Sequence, residues 1–396
     1  MLANENKEAQ AISLNYSMNK KLIWIVVALL IIGGAVFYFY KNNERISNSS
    51  EAVEIGAVLP LSGNGAQYGQ YFKQGSELAL SDALDEGLIK PNQVKLIIED
   101  GKGDANLSLT AFRKLTETDH IDASLIDVSS VILAIKPEAN KDSVVLFNPS
   151  AFSSEIEDSN DFVFSVLPNA SIYGKFIGNY CFSNLNMKSA GVLYRNDAMG
   201  VSFNNSFKNS FGELGGKVVF EESHKTGETD FRTIIEKMRS QNVDMVFVAS
   251  FAPEIANFAK QARELNYKVQ IVTYQGFFIR EALKIAQESA NGIICIASTF
   301  DPSSNDPRIA SLRDKLKAKY NTDDLNYYLA AHYDATRILL EAIAAGSKTG
   351  REIKNYIDNK KSFNGLTGQI SFDERGLATI PLQAYRVENM QFVPMK

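Results

Sequence analysis

The sequence predicts an α/β protein with two lobes, each built on a doubly wound parallel sheet, and one transmembrane helix in front of them. Three observations lead to this prediction. The 396 residues exceed the roughly 250 to 300 that one hydrophobic core accommodates, so at least two domains are expected. Buried-strand patterns alternate with helix patterns from Val53 onward, which is typical of parallel sheets with crossover helices. One uncharged apolar run lies near the amino end.

Composition and charge exclude several classes of protein. A chain with 45% apolar and 22% charged residues is typical of a globular protein rather than a disordered or collagen-like one. The net charge of −5 argues against nucleic acid as a partner, because binding its backbone requires a basic excess. Cys181 and Cys295 are the only cysteines, so a disulfide framework is excluded and we expect both thiols to stay unbridged. With 3 scattered histidines besides, no metal site is expected.

The uncharged run covers residues 22–40 and predicts a transmembrane helix. Its 19 positions span about 28 Å at the helical rise per residue, which is close to the thickness of a bilayer's hydrocarbon core. The run is longer than the usual core of a signal peptide, and no small-residue cleavage motif follows it. We therefore favour an uncleaved anchor, with a cleaved signal peptide as the alternative. Residues 1–21 would be a short cytoplasmic tail, in which Met18 is a second possible start, and residues 41–52 a polar linker.

Charges beside the run predict its orientation. Lys20 and Lys21 precede it, as expected for an amino end that stays in the cytoplasm, although Lys41 and Arg45 on the far side weaken this bias. We therefore expect a single-pass protein of the cell membrane. Its large carboxyl-terminal part, from Val53, would lie outside the cytoplasm.

Apolar periodicity predicts two α/β runs after the linker, separated by the polar segment 148–161. In the first run the predicted strands are 53–59, 93–99, 121–127, 143–147 and 162–166, and the helices are 70–86, 105–116 and one from Ser129. In the second run the strands are 190–194, 217–221, 243–250, 269–274 and 292–297, and helices begin near residues 198, 230, 253 and 280. The prediction ends with helices 307–320 and 325–345 and strands 368–372 and 382–387.

A glycine-rich loop, Gly63 to Gly69, follows the first strand and precedes a helix, where a dinucleotide phosphate would bind. Its spacing is G-x-G-x-x-x-G rather than G-x-G-x-x-G, and the next acidic strand end, Glu99, comes about 30 residues later instead of about 20. We therefore expect no cofactor. The glycines are interpreted as allowing the helix to begin close to its strand.

The sequence contains no clear catalytic constellation. His332 and Asp334 lie on one predicted helix, where residues two apart face different sides. Apolar neighbours at helical spacing predict that His332 is buried in the core rather than catalytic. No nucleophile elbow and no nucleophile–base pair is present, so the sequence predicts no enzymatic activity.

An ordered set of segments carries a resemblance to a known family. The segments are Ile55 to Gly69 (IGAVLPLSGNGAQYG), Glu99-Asp100, Val128 to Ser130, Asn148 to Ala151, Thr229 to Phe231, Pro253-Glu254 with Gln261 to Arg263, and Gly365 to Gly376 (GLTGQISFDERG). Over residues 53–396 the chain resembles the leucine/isoleucine/valine-binding proteins. These are extracytoplasmic solute receptors of the type I periplasmic-binding-protein fold.

The resemblance implies two lobes joined by a three-strand hinge, with a small-molecule ligand bound between them. The first lobe would comprise residues 53–168 and 299–378, and the second lobe residues 169–298 and 379–396. The chain would cross between the lobes near Pro168, Ser298 and Ala378. Closure about this hinge would trap the ligand beyond the carboxyl ends of the strands.

The resemblance also implies the residues of a ligand pocket. Tyr68 would form a wall against the side chain of the ligand. Ser129 would bind a carboxylate through its hydroxyl and backbone N–H, and Ser150 would offer a backbone carbonyl to an amine. A helix amino end at Ser129 favours an anion independently of any family.

Four pocket positions differ from the family pattern, each in the direction of a neutral or apolar side chain. The family's threonine is replaced by Phe152, its ammonium-binding glutamate by Gln275, and two of its tyrosines by Met199 and Phe251. An ammonium that is desolvated in such a cleft lacks a charged partner. We therefore expect a ligand that is apolar or aromatic with one anionic or polar end.

Two further positions bear on this expectation. The family disulfide has no counterpart, because its two positions are Gly103 and Val128. Asp127 offers an alternative, since it comes two residues before Ser129 at the end of a predicted strand. If Asp127 pointed into the cleft, it would replace the missing acid and restore an ordinary amino-acid site.

The resulting prediction is a membrane-anchored receptor of an ABC importer, which would have permease and ATPase subunits as partners. The alternative is a sensory ectodomain that signals through a partner protein rather than delivering its ligand to a permease. Permease genes beside this one would favour the importer, and kinase or chemotaxis genes the sensor. An exported enzyme on the same fold is a third possibility, for which no catalytic pair can be named.

Overall fold

The computed structural model describes residues 52–63 and 65–395. The predicted cytoplasmic tail and transmembrane segment, residues 1–40, and nearly all of the linker lie outside the described residues. In the part that is described, no helix combines the length and the apolar character needed to cross a bilayer.

Strands and helices alternate along the described chain, as the periodicity predicts. The strands are β1 (Val53–Leu59), β2 (Val94–Asp100), β3 (Ala123–Ile126), β4 (Val145–Asn148), β5 (Val163–Ser165), β6 (Ser189–Arg195), β7 (Lys217–His224), β8 (Met245–Ala249), β9 (Gln270–Tyr274), β10 (Ile294–Ser298), β11 (Ser362–Gly365), β12 (Gly368–Phe372), β13 (Ala378–Thr379), β14 (Leu382–Glu388) and β15 (Gln391–Pro394). The helices are α1 (Ala66–Asp85), α2 (Ala105–Glu117), α3 (Ser129–Asp142), α4 (Ala170–Asn179), α5 (Ala198–Glu213), α6 (Arg232–Arg239), α7 (Ala252–Glu264), α8 (Arg280–Ala286), α9 (Pro307–Tyr320), α10 (Tyr327–Ala344) and α11 (Gly350–Lys360).

The first lobe is built on a parallel sheet in the strand order β2-β1-β3-β4-β5. Its inner strands β3 and β4 are buried at every position, which suits strands covered by helices on both faces. Helices α1 to α3 and α9 to α11 belong to this lobe. The parallel, doubly wound arrangement predicted for this half of the fold is confirmed.

The second lobe is built on a sheet in the order β15-β14-β10-β9-β8-β6-β7. Strands β6 to β10 are parallel, but β14 runs antiparallel to β10, and β15 antiparallel to β14. The expectation of a purely parallel sheet is therefore wrong at this edge. Strand β14 enters the sheet without a crossover helix, and β15 follows through a two-residue turn. Asn389 and Met390 of that turn both have positive φ, which is the geometry of a tight hairpin.

Near the carboxyl end, helix α11 and strands β11 and β13 were not predicted, whereas β12 matches the predicted strand 368–372. Helix α11 begins at a capping box, in which Thr349 accepts from the backbone of Glu352 and Glu352 accepts from the backbone of Thr349. The Thr-x-x-Glu spacing was a usable signal for it. Strands β11 to β13 form a small antiparallel sheet, and Phe372 in β12 packs against Phe147 and Phe164 of the first lobe, with ring centroids 6.1 and 5.4 Å apart.

The chain passes between the two large sheets three times. The connecting segments are β5 to α4, β10 to α9, and β13 to β14. Pro168 lies in the first of these segments, and Ser298 and Ala378 lie in the strands β10 and β13 that precede the other two. The exact lobe bounds stay a prediction.

Within the first lobe, helix α1 packs closely on helix α10. A Cβ atom on Gly75 would come within 2.2 Å of the carbonyl oxygen of Leu329, so glycine permits the approach. The ring of Phe72 stacks on that of His332, with centroids 4.1 Å apart. His332 is completely buried, which confirms the prediction that it belongs to the core.

Both cysteines lie in the second lobe, Cys181 in a single π-helical turn and Cys295 on β10. Both side chains are buried and their thiols are free. Burial raises the pKa of the Cys181 thiol to about 12, which keeps it protonated and unreactive at neutral pH.

Candidate functional site

The candidate site lies where the two parallel sheets face each other. Strand β1 lies between β2 and β3 in the first sheet, and β6 lies between β7 and β8 in the second. At β1 and at β6, one crossover leads to the neighbouring strand on one side and the next crossover leads to the strand on the other side. Ligands of such sheets bind in the crevice at the carboxyl ends of the strands at this switch point. The loops after β1, β3, β6 and β8 all contribute to one cavity.

Six of the eight predicted pocket residues line this cavity: Tyr68, Ser129, Ser150, Phe152, Met199 and Phe251. The other two, Asp127 and Gln275, are not among its lining residues. The free space inside is about 30 Å³, which is room for roughly two water molecules. The two lobes are therefore closed upon each other.

The Tyr68 hydroxyl holds the lobes together across the cavity. It donates to the carbonyl oxygen of Gly276 at 2.9 Å and accepts from the backbone N–H of Ala252 at 3.0 Å. Ala252 is the first residue of α7, where helical N–H groups lack partners within the helix. Burial raises the pKa of the Tyr68 hydroxyl well above its usual range, so it keeps the proton that it donates. A single first-lobe side chain thus satisfies two backbone groups of the second lobe.

Ser129 is the first residue of α3, as predicted, and its hydroxyl has partners within its own lobe. The hydroxyl oxygen accepts from the backbone N–H groups of Phe152 at 3.2 Å and Ser153 at 3.1 Å. These bonds fix the loop after β4 against the start of α3. The hydroxyl hydrogen is not used in either bond, so it can donate to a ligand in the cavity.

Asp127 is engaged in a buried network instead of facing the cavity. One carboxylate oxygen accepts from the hydroxyl of Ser150, and the other lies 3.1 Å from Nε2 of His332. Nδ1 of His332 lies 2.9 Å from the carbonyl oxygen of Tyr328. The side chains of Asp127 and His332 are both fully buried. Asp127 could serve as a ligand's acid only if this network were broken.

Gln275 supports the lobe junction. Its Oε1 accepts from the backbone N–H of Ser298 at 2.8 Å, at the end of β10 where the chain leaves the second lobe. The side chain is completely buried. The position that bears the family's glutamate therefore contributes to the fold here rather than to the wall of the cavity.

Phe152 reaches from the first lobe into an aromatic cluster of the second. Its ring centroid lies 5.2 Å from that of Tyr274 and 5.6 Å from that of Tyr173, with nearly perpendicular rings. The hydroxyl of Tyr274 donates to the carbonyl oxygen of Ser250 at 2.9 Å and touches the sulfur of Met199. The predicted apolar residues Phe152 and Met199 thus form one continuous wall with Tyr274.

Arg195 lines the cavity and was not predicted. It is the last residue of β6 and is only 1% exposed. Its Nε donates to Asp197 at 2.6 Å, and its guanidinium carbon lies 3.5 Å from the ring centroid of Phe251. A charged residue that ends an otherwise apolar strand, followed by Asn-Asp, was the signal in the sequence that could have identified it.

Comparisons with known proteins agree with this arrangement. A family model described as periplasmic binding protein matches residues 52–391. The chain belongs to this family. Its relatives are solute-binding receptors, which confirms the prediction that the chain is not an enzyme.

The chain is similar to Leu/Ile/Val-binding protein homolog 1 of Brucella abortus, with 24% identity over 347 residues that cover 83% of this chain and 88% of the relative. Among solved structures it is similar to the branched-chain amino acid substrate-binding protein LivJ of Streptococcus pneumoniae in complex with isoleucine. That match has a TM-score of 0.79 and 26% identity, and it covers 87% of this chain and 99% of the other. A Rhodopseudomonas palustris ABC-transporter solute-binding protein in complex with benzoate shares the fold, with a TM-score of 0.78, 18% identity, and coverage of 87% and 95%.

Replacing Tyr68 with Phe should favour the open state. The closed state would lose both bonds across the cavity and leave Ala252 N–H and Gly276 C=O without their partner, at a cost of about 1 to 3 kcal/mol. Small-angle scattering of the protein should show a larger radius of gyration than the wild type. The control is Tyr333→Phe, which removes a tyrosine bond to Asp82 within the first lobe. Equal scattering by wild type and Tyr68→Phe would contradict this role.

Proposed function

We propose that this protein is the membrane-anchored, extracytoplasmic receptor of an ABC-type importer and binds a small apolar or aromatic solute with one carboxylate or amide end. The main support for this proposal is the composition of the cavity wall. It combines the aromatic and apolar side chains of Tyr68, Phe152, Met199 and Phe251 with polar groups at Ser129 and Ser150.

The electrostatics of the wall support a ligand without an ammonium. None of the described residues that line the cavity is acidic. Asp127 is committed to His332 and Ser150, and Gln275 to the lobe junction. A desolvated ammonium would lack the charge-assisted partner that is worth roughly 1.5 to 3 kcal/mol.

The comparisons support a carboxylate-bearing ligand. The Streptococcus pneumoniae protein is in complex with isoleucine and the Rhodopseudomonas palustris protein with benzoate. Both ligands carry one carboxylate on an apolar body, and isoleucine carries an ammonium as well. An amide would offer a similar polar end without the charge.

Binding requires the lobes to separate. The closed cavity is far smaller than such a solute, so the ligand must enter while the cleft is open. We assign the moving lobes to residues 53–168 with 299–378 and to residues 169–298 with 379–396. The Tyr68 bonds and the ion pair between Arg280 and Asp323, 2.6 Å apart, would then form again on closure.

The anchor is proposed from the sequence of residues 22–40. It would keep the receptor beside the permease and ATPase subunits of its importer, at the outer face of the cell membrane. Intact-mass analysis of the mature protein should find this segment retained, because no cleavage motif follows it. A mature chain that begins after Tyr40 would show a cleaved signal peptide instead.

Leucine and 4-methylpentanoate form a decisive ligand pair, since they differ only in the ammonium. We expect 4-methylpentanoate to bind about ten- to a hundredfold more tightly than leucine in calorimetry, because its binding buries no unpaired cation. The control variant is Asp127→Asn, which removes the acid nearest in sequence to Ser129. Submicromolar leucine binding that is abolished in Asp127→Asn would contradict the proposal and restore an ordinary amino-acid site.

A further inference from the structure

We infer that Arg195 of the second lobe binds the anionic group of the solute. This inference rests on the proposed function and deepens it, because it assigns the ligand a negative charge and gives that charge a partner. The arginine is not one of the positions that the family resemblance implies. Its role follows from its own contacts.

The side chain of Arg195 is fixed by the bonds that one edge of its guanidinium makes to Asp197. Nε and Nη2 both donate to the same carboxylate oxygen of Asp197, with Nε at 2.6 Å. The other carboxylate oxygen of Asp197 accepts from the backbone N–H of Gly200 at 2.9 Å and caps helix α5. Asp197 is therefore held by the helix that it caps, and it holds the arginine in turn.

One face of the guanidinium is covered as well. Its carbon lies 3.5 Å from the ring centroid of Phe251, a cation–π contact inside a buried site. With one edge and one face occupied, Nη1 is left with two N–H groups. Nη1 is buried, and among the described residues it has no hydrogen-bond partner. Arg195 itself lines the cavity.

A buried charged donor without an acceptor is costly, and a guanidinium cannot lose its charge at physiological pH. A ligand acceptor in the cavity would remove this cost. A carboxylate fits best, because a bond between two charged groups is the stronger kind and its oxygens match the planar N–H groups of arginine.

Glu254 is a competing acceptor in the same lobe. It is buried at the start of α7, and its Oε1 accepts from the backbone N–H of Gly227 at 3.0 Å. Its other oxygen has no partner among the described residues, yet it forms no ion pair with Arg195 within them. Glu254 also does not line the cavity. Because Arg195 lines the cavity and Glu254 does not, we expect the ligand's anion rather than Glu254 to be the acceptor for Nη1.

This assignment links recognition to closure. Ser129 at the amino end of α3 belongs to the first lobe and Arg195 to the second, and both line the same cavity. A carboxylate that contacts both would draw the lobes together. A neutral solute of the same shape would lack the contact to the second lobe.

The test compares the affinity for an acid with the affinity for the corresponding amide. Damage to the fold would lower both affinities, whereas loss of a charge contact would lower only the affinity for the acid. Calorimetry on the full-length protein would use benzoate with benzamide and 4-methylpentanoate with 4-methylpentanamide. The variant is Arg195→Gln combined with Asp197→Asn, which leaves no unpaired carboxylate. Arg263→Gln is the control, because Arg263 is a partly buried arginine of the same lobe that bonds to Tyr267 and Val269 away from the cavity.

In the double variant we expect acid affinity to fall by about ten- to a hundredfold while amide affinity changes by less than about threefold. Arg195→Lys should keep part of the preference for the acid, and Arg263→Gln all of it. Suppose that the wild type binds an acid and that the double variant keeps the same ratio of acid to amide affinity. The inferred role of Arg195 would then be wrong, while the proposed receptor function would stand. If the wild type binds none of the four compounds and no amino acid, the receptor function itself is wrong.

Discussion

The cleft depends on one constraint, which is that the carboxyl ends of the parallel strands in both sheets face each other. Tyr68, Ser129, Arg195 and Phe251 lie at or just beyond four different strand ends, yet they meet in one cavity. The Tyr68 hydroxyl completes this arrangement, because it satisfies backbone groups of the opposite lobe. Without that contact, closure would bury an unpaired N–H at the start of α7.

The charged groups near the cavity differ in whether they already have partners within the protein. Asp127 is turned inward by His332 and Ser150, and Asp197 is held at the start of α5. Both acids have local partners, while Arg195 keeps one nitrogen without a partner in the described chain. The cavity wall therefore combines donors from Ser129 and Arg195 with aromatic surface. On the proposed function, this combination would favour an anion on an apolar body.

Apolar periodicity was sufficient to predict most strands and helices, because strands β3, β4 and β8 are buried throughout and the helices have regular apolar faces. The family resemblance placed Tyr68, Ser129 and Phe152 at the cavity. What could not be predicted depends on contacts between residues far apart in sequence. Asp127 faces His332 because α10 packs on α1, and Gln275 bonds to the end of β10, neither of which a local pattern reveals. Arg195 was not predicted, because it lies at a strand end that matches none of the pocket positions implied by the family resemblance.

The most direct measurement is a crystal structure of the protein with bound benzoate or 4-methylpentanoate. The account predicts the carboxylate within hydrogen-bond distance of Nη1 of Arg195 and of the Ser129 hydroxyl, with the apolar body against Phe152 and Phe251. A larger cavity at the lobe junction, about 620 Å³ and lined by Phe278 and Phe392, is another place where such a solute fits. A ligand found there, or a carboxylate in the cleft that points away from Arg195, would contradict the account.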